Sequence, residues 1–498
     1  MSAPVAFPLL EATIDAIHQA YKARQLTARQ LVQLYLDRIE AYDQTGPAIN
    51  AIITRNAAAL AEADRLDAAF LASGLVGPLH GIPVVVKDQA DVAGMPTTLG
   101  SVLFQHYYPD RDCFVVARLK KAGAIILGKT TLGELGGGDT HGSLFGSTRN
   151  PYDVERTVGG SSGGSAACVS ANFATVGVAQ EGLASIRRPA TWTGIVGMRP
   201  TAGLVSRGGV YAGWPSVHGS LGPMARTVTD MAKLLDVMVG YDPEDPLTAR
   251  GVGKVPASYT ACLDTHGLQG VRLGILREPM GLQTEPDSDD FRQVTEVFDH
   301  AVAALRAAGA DLVDPIVIPQ LRELLATRAG SSIEEEEAFQ RYFSRSAHPP
   351  FPSRAAVASS PDFAKVVRRS QERWQRAPDP SAHYTYLKAR DALLTALLKV
   401  MADHRLDAIV HKAVEHQPTR ITDGVNPPFV DQKGAPHLNT FVVFVPSVVV
   451  PAGFTRDNLP AGITFVGRPY DDGTMIKLAY AYEQATQHRR PPASTPPL

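Results

Sequence analysis

A chain of 498 residues with 44% hydrophobic and 20% charged side chains can bury one large core or two to three ordinary ones. Lysine and arginine number 48 against 50 aspartates and glutamates, a net charge of -2, so no global field recruits nucleic acid or an anionic membrane. Cys113, Cys168 and Cys262 are too few and too scattered for a disulfide framework or a zinc knuckle.

The N-terminus lacks the basic start and long apolar stretch of a secretion signal, and no run reaches the roughly 18 apolar residues of a membrane span. The expectation is a cytoplasmic protein, monomer or homodimer, acting on a small molecule. Residues 9–43 read as two amphipathic helices, the second N-capped by Thr27. The runs IPVVVKD (82–88), AGAIILGKT (122–130) and FATVGVAQ (173–180) read as buried strands between helical or glycine-rich segments. From about residue 285 to 400 the pattern turns mostly helical and more charged. Glu334, Glu335, Glu336 and Glu337 there read as a solvated helix face. Strands return at LDAIV (406–410), TFVVFVPSVVVPAGF (440–454) and AGITFVG (461–467). The chain divides into an N-terminal helical segment (1–64), an α/β domain (65–490) with a variable helical insertion at about 285–400, and a proline-rich tail (491–498) that reads as disordered.

Two short motifs mislead. Residues 123–130, GAIILGKT, satisfy the P-loop expression, but Ala124 to Leu127 are themselves strand formers, whereas a phosphate cradle needs a loop there. Residues 159–163, GGSSG, fit the nucleophile elbow of α/β-hydrolases, which would make Ser161 the nucleophile. An elbow hangs from an apolar strand. The preceding NPYDVERTV is polar and reads as a turn.

Lys87 ends the apolar run PVVVKD, where burial disfavours the ammonium and pushes the amine toward the neutral form that can accept a proton. Taken alone, it reads better as a surface lysine whose stem snorkels. In wider context, GGSSGGSAA followed by SIRRPATWTGIVGMRPTAGLVSRGGV resembles the amidase signature family, as do GPLHGIPVVVKD, LGKTTLGE, STRNPYD, GSLGPMARTVTDMA and the late LPAGITFVGRPYDD. The resemblance runs from about Leu75 to Thr486. It implies a single large α/β domain, a mixed β-sheet core covered by helices on both faces.

It also implies a Ser-cisSer-Lys triad, with Lys87 as base, Ser161 as the cis-serine after Gly160, and Ser185 as nucleophile. Ser162 would support the loop, and the backbone N–H groups of Gly182, Leu183, Ala184 and Ser185 would face the oxyanion. In that mechanism protons pass from Ser185 to Ser161 to Lys87, an acyl-enzyme forms, and water completes the cycle. No metal or organic cofactor is required. The family usually has glycine where Ala184 stands, and alanine in a left-handed conformation is strained. Trp192, Tyr211 and Trp214 are the candidate substrate-pocket aromatics, and Arg187 or Arg188 either clamps a carboxylate or is a structural ion-pair partner. The implied activity is hydrolysis of amides and anilides, with ester side activity. The EGLAS variant resembles members that cleave urethanes, which extends the range to aryl carbamates. The alternatives are the glutamine- or asparagine-hydrolysing component of a tRNA-dependent amidotransferase, or a noncatalytic homologue.

Overall fold

Three consecutive valines, Val84 to Val86, have no exposed surface, and a strand buried on both faces belongs in the middle of a sheet covered on both sides. In the computed structural model, which describes residues 7–211, 219–328 and 332–498, they do lie inside one mixed sheet of eleven strands. The strands are β1 (Ile52–Arg55), β2 (Pro83–Lys87), β3 (Ile125–Thr130), β4 (Val176–Glu181), β5 (Val196–Arg199), β6 (Ser220–Ala225), β7 (Arg272–Leu276), β8 (Asp311–Ile316), β9 (Ala408–Lys412), β10 (Ser447–Phe454) and β11 (Pro460–Val466). Their spatial order is β1-β3-β2-β4-β6-β5-β10-β11-β9-β7-β8. Strand β2 is parallel to both neighbours, Val84 pairing with Ile126 and Val176. The middle of the sheet is antiparallel, and β7 is parallel to β8 and β9.

Helices cover the sheet. Those used below are α1 (Ile14–Lys22), α2 (Ala28–Tyr42), α3 (Gly163–Ser170), α4 (Arg187–Trp192), α5 (Asp289–Ala307), α6 (Leu321–Ala326), α7 (Ser332–Phe343), α8 (Arg368–Gln375) and α9 (Pro380–Asp403). Thr27 caps α2 in a capping box with Gln30. Leu31, Tyr35 and Ile39, one helical turn apart, are buried against the core. No helix among the described residues is long and apolar enough to cross a membrane.

Several segments differ from their reading in the sequence. The N-terminal 64 residues contribute β1 to the central sheet as well as helices. The helical stretch 285–400 likewise carries β8, which α5 delivers parallel to β7. Residues Asp153–Thr157 form a short strand paired with Arg149–Asn150 rather than a turn. The P-loop look-alike is strand β3, buried throughout. Only part of the glutamate run is solvated: Glu335 bonds Arg354 and Arg373, each at 2.8 Å. The proline-rich tail is docked, because buried Arg38 donates to the carbonyls of Thr495 at 2.7 Å and Pro496 at 2.8 Å. Composition predicts disorder there because prolines pack poorly, but their carbonyls remain good acceptors.

Candidate active site

The pieces gather where β2, β3 and β4 end together. Lys87 is the last residue of β2 and is wholly buried. Its Nζ lies 2.7 Å from Ser161 Oγ and 3.3 Å from the Gln180 carbonyl. Ser161 Oγ lies 3.0 Å from Ser185 Oγ. Burial holds the Lys87 amine well below its ordinary pKa, with Glu181 pulling the other way.

The peptide between Gly160 and Ser161 is cis. Glycine is required at 160 because a Cβ would stand 2.4 Å from the Gly138 carbonyl oxygen. Ser162 pins the loop to β4 by donating to the Gln180 carbonyl at 3.0 Å and accepting from its N–H at 3.3 Å. Arg188 holds the other side, donating through Nη2 to the Gly160 carbonyl at 2.8 Å and lying 2.9 Å from Asp139. Burial raises the Asp139 carboxyl to about 6 against the pull of Arg188.

Residues 182–185 form the turn between β4 and α4. Glu181, which precedes them, is the group that sequence reasoning missed. Its Oε2 accepts the N–H groups of Ile186 at 2.8 Å and Arg187 at 3.0 Å, and its Oε1 accepts Arg187 Nε at 2.8 Å. Both members of the pair are fully buried. Glu181 thus takes the N–H groups just beyond the turn, while those of Gly182, Leu183, Ala184 and Ser185 meet no acceptor among the described residues. Four consecutive free donors beside a hydroxyl are what a developing oxyanion needs. Ala184 does not take a positive φ, so alanine is unstrained there, and its methyl packs with Leu183 and Ala435.

Ser185, Gly182 and Leu183 open onto a cavity of about 1020 Å³. Trp192 does not line it: the indole is buried and donates to the His416 carbonyl at 2.9 Å. Tyr211 is also elsewhere, packed edge-on against Tyr342 with ring centroids 5.4 Å apart. Trp214 lies outside the described residues. Arg187 and Arg188 are spent on Glu181, Asp139 and the Gly160 carbonyl, so the ion-pair alternative describes them. The cavity wall comes instead from the glycine loop after β3, from α8 and from residues 419–432, with Phe429 as an aromatic member. Among the described residues no group of three His, Cys, Asp or Glu side chains is placed to hold a metal.

A buried lysine, two hydroxyls in line and a row of free amides are the groups a serine nucleophile needs in order to work without histidine. The profile described as Amidase matches residues 30–476, and the chain belongs to the amidase signature family. Its fold is similar to the peptide amidase of Stenotrophomonas maltophilia, with a TM-score of 0.86, 33% identity and coverage of 98% of this chain and 99% of that one. It is 32% identical to a probable amidase of Arabidopsis thaliana over 98% of this chain and 92% of the relative. It is 31% identical to a glutamyl-tRNA(Gln) amidotransferase component of Methanosarcina barkeri over 95% of this chain and 97% of the relative.

Proposed function

We propose that the protein hydrolyses amide-type C–N bonds through an acyl-enzyme on Ser185. The observation that carries this reading is the unbroken line Lys87 Nζ–Ser161 Oγ–Ser185 Oγ, at 2.7 and 3.0 Å, ending beside four free N–H groups. Neutral Lys87 can accept a proton, and each hydroxyl can rotate to donate or accept. As Ser185 Oγ bonds to the acyl carbon, its proton passes to Ser161 and that of Ser161 to Lys87. The carbonyl oxygen takes up negative charge facing residues 182–185. When the C–N bond breaks, Ser161 gives a proton to the departing nitrogen and recovers one from Lys87. Water then attacks the ester along the same relay, releasing the acid and restoring Ser185.

The relay protonates whichever heteroatom leaves, so esters and aryl carbamates accompany amides and anilides. The cavity, lined by apolar Leu183, Ile421, Val425 and Phe429 beside several arginines, suits an extended acyl or amine group better than a small amide. The likeness to an amidotransferase component supports a second reading, release of ammonia from glutamine for a partner. One comparison tests both: kcat/KM for a neutral aryl amide, the matching aryl carbamate and glutamine, with Ser185→Ala as control. Turnover of the aryl amide that Ser185→Ala abolishes is the expected result. Strong preference for glutamine with negligible turnover of both aryl compounds overturns it. A fluorophosphonate should label Ser185; labelling of Ser161 returns the elbow reading, and no labelled serine favours a noncatalytic homologue.

A further inference from the structure

Six arginines line the cavity, and four are taken: Arg368 by Glu372, Arg369 by Asp431, Arg373 by Glu335 and Arg420 by Glu155. Arg328, just beyond α6, and Arg376, just beyond α8, are different. Both are exposed and line the cavity, and neither pairs with a carboxylate among the described residues. The remaining residues, 1–6, 212–218 and 329–331, contain no aspartate or glutamate, so the chain holds no other acidic side chain to pair with them.

The charged groups acting most strongly on Arg328 are the cations Arg369 and Arg376, although Glu334, with one carboxylate oxygen unpartnered, lines the same cavity. Arg328 keeps exposed surface, but the protein around its guanidinium displaces bulk water; that desolvation, then Arg369 and Arg376, push the group down to about 10, with only Tyr386 opposing. Burial and Arg328 in turn hold His437 down to about 3. Guanidiniums crowded on a concave wall repel one another and concentrate a positive field in the space they face. An ion that enters between them relieves the repulsion. The planar fork of arginine matches a carboxylate better than it matches a spherical anion.

We propose that Arg328 and Arg376 form a carboxylate subsite, so that the preferred substrates carry an anionic group remote from the amide attacked by Ser185. This rests on the hydrolase reading for its biological meaning, but binding tests it separately.

The probes are butyryl-4-nitroanilide, which is neutral, glutaryl-4-nitroanilide, with a carboxylate on the acyl side, and butyryl-4-aminobenzoate, with one on the amine side. Their dissociation constants are measured calorimetrically with the Ser185→Ala protein, alone and with Arg328→Gln, Arg376→Gln or both. One carboxylate probe should bind at least about tenfold more tightly than the neutral anilide, the scale of one charged hydrogen bond. Either glutamine substitution should bring that ratio toward one, and Arg328→Lys should retain part of it. The ratio is taken within each protein, so a loss of folded fraction does not mimic the effect. Equal binding of all three probes by the parent protein, or a preference that survives the double substitution, overturns the proposal. An intact ratio with no turnover by the wild-type protein upholds the subsite and counts against the hydrolase reading.

Discussion

Replacing Glu181 by glutamine should damage stability and rate together. The carboxylate accepts two backbone N–H groups, the Arg187 Nε and, at 3.3 Å, Asn439 Nδ2. A glutamine keeps one acceptor oxygen and turns an amide NH2 group toward donors. It also leaves Arg187 fully buried without its counter-charge. Breaking a buried pair from one side costs about 3–5 kcal/mol. The turn at 182–185 loses the group that fixes its exit, and a single displaced oxyanion donor costs about 100-fold in kcat. Equilibrium urea unfolding and steady-state kinetics on an anilide measure the two effects. The pH dependence carries a sign. Burial pushes the Glu181 carboxyl up, but Arg187 and Arg199 outweigh it and hold it below its ordinary 4.5. Its stabilisation is therefore full above pH 4.5 and is lost as pH falls through the folded value. Acid should narrow the stability gap between wild type and variant. A gap under about 1 kcal/mol at neutral pH, well below the range for breaking a buried pair, with kcat unchanged, would refute the argument.

Lys87→Ala should lower kcat/KM by about 10²–10⁴. In the wild type kcat/KM should rise as Lys87 loses its proton and level off well below the ordinary lysine value of 10.5; a pH–rate profile that keeps this limb in the variant removes Lys87 from the relay. Ala184→Gly should change kcat/KM less than about threefold and lower stability by about 0.5–1 kcal/mol, because no positive φ awaits a glycine there. Removing residues 491–498 should cost about 2–4 kcal/mol in urea unfolding, since Arg38 loses two charged bonds to carbonyls; a smaller loss means that water replaces the tail.

The site was legible in the sequence where its chemistry follows from local pattern. Lys87 stands out because a charged residue closes a run of valines, and the glycine loop because its spacing to SIRRPA is distinctive. What escaped depends on contacts between distant segments. Nothing near Glu181 indicates that its oxygens cap the turn beyond it. Trp192 lies close to Ser185 in the chain, yet α4 turns its indole toward His416, 224 residues onward. The tail reads as disordered until Arg38, 457 residues earlier, is seen to hold it. Strand β8 has the weakest pattern of the sheet, with a single buried residue, Ile316, at its end, as its place beside β7 at the sheet margin allows.

The relay stands on the ends of β2 and β4, whereas much of the cavity wall is supplied by the segment from α6 to α8 and by residues 419–432. The proposed chemistry and the proposed recognition therefore stand on largely separate stretches of chain. A lineage can exchange the second without disturbing the first, provided that Arg369 still meets Asp431 over the glycine loop. For an engineer this makes residues 321–376, with Arg369 held fixed, the cassette to diversify. A library confined to that cassette explores new amides while every variant keeps the same route for the proton.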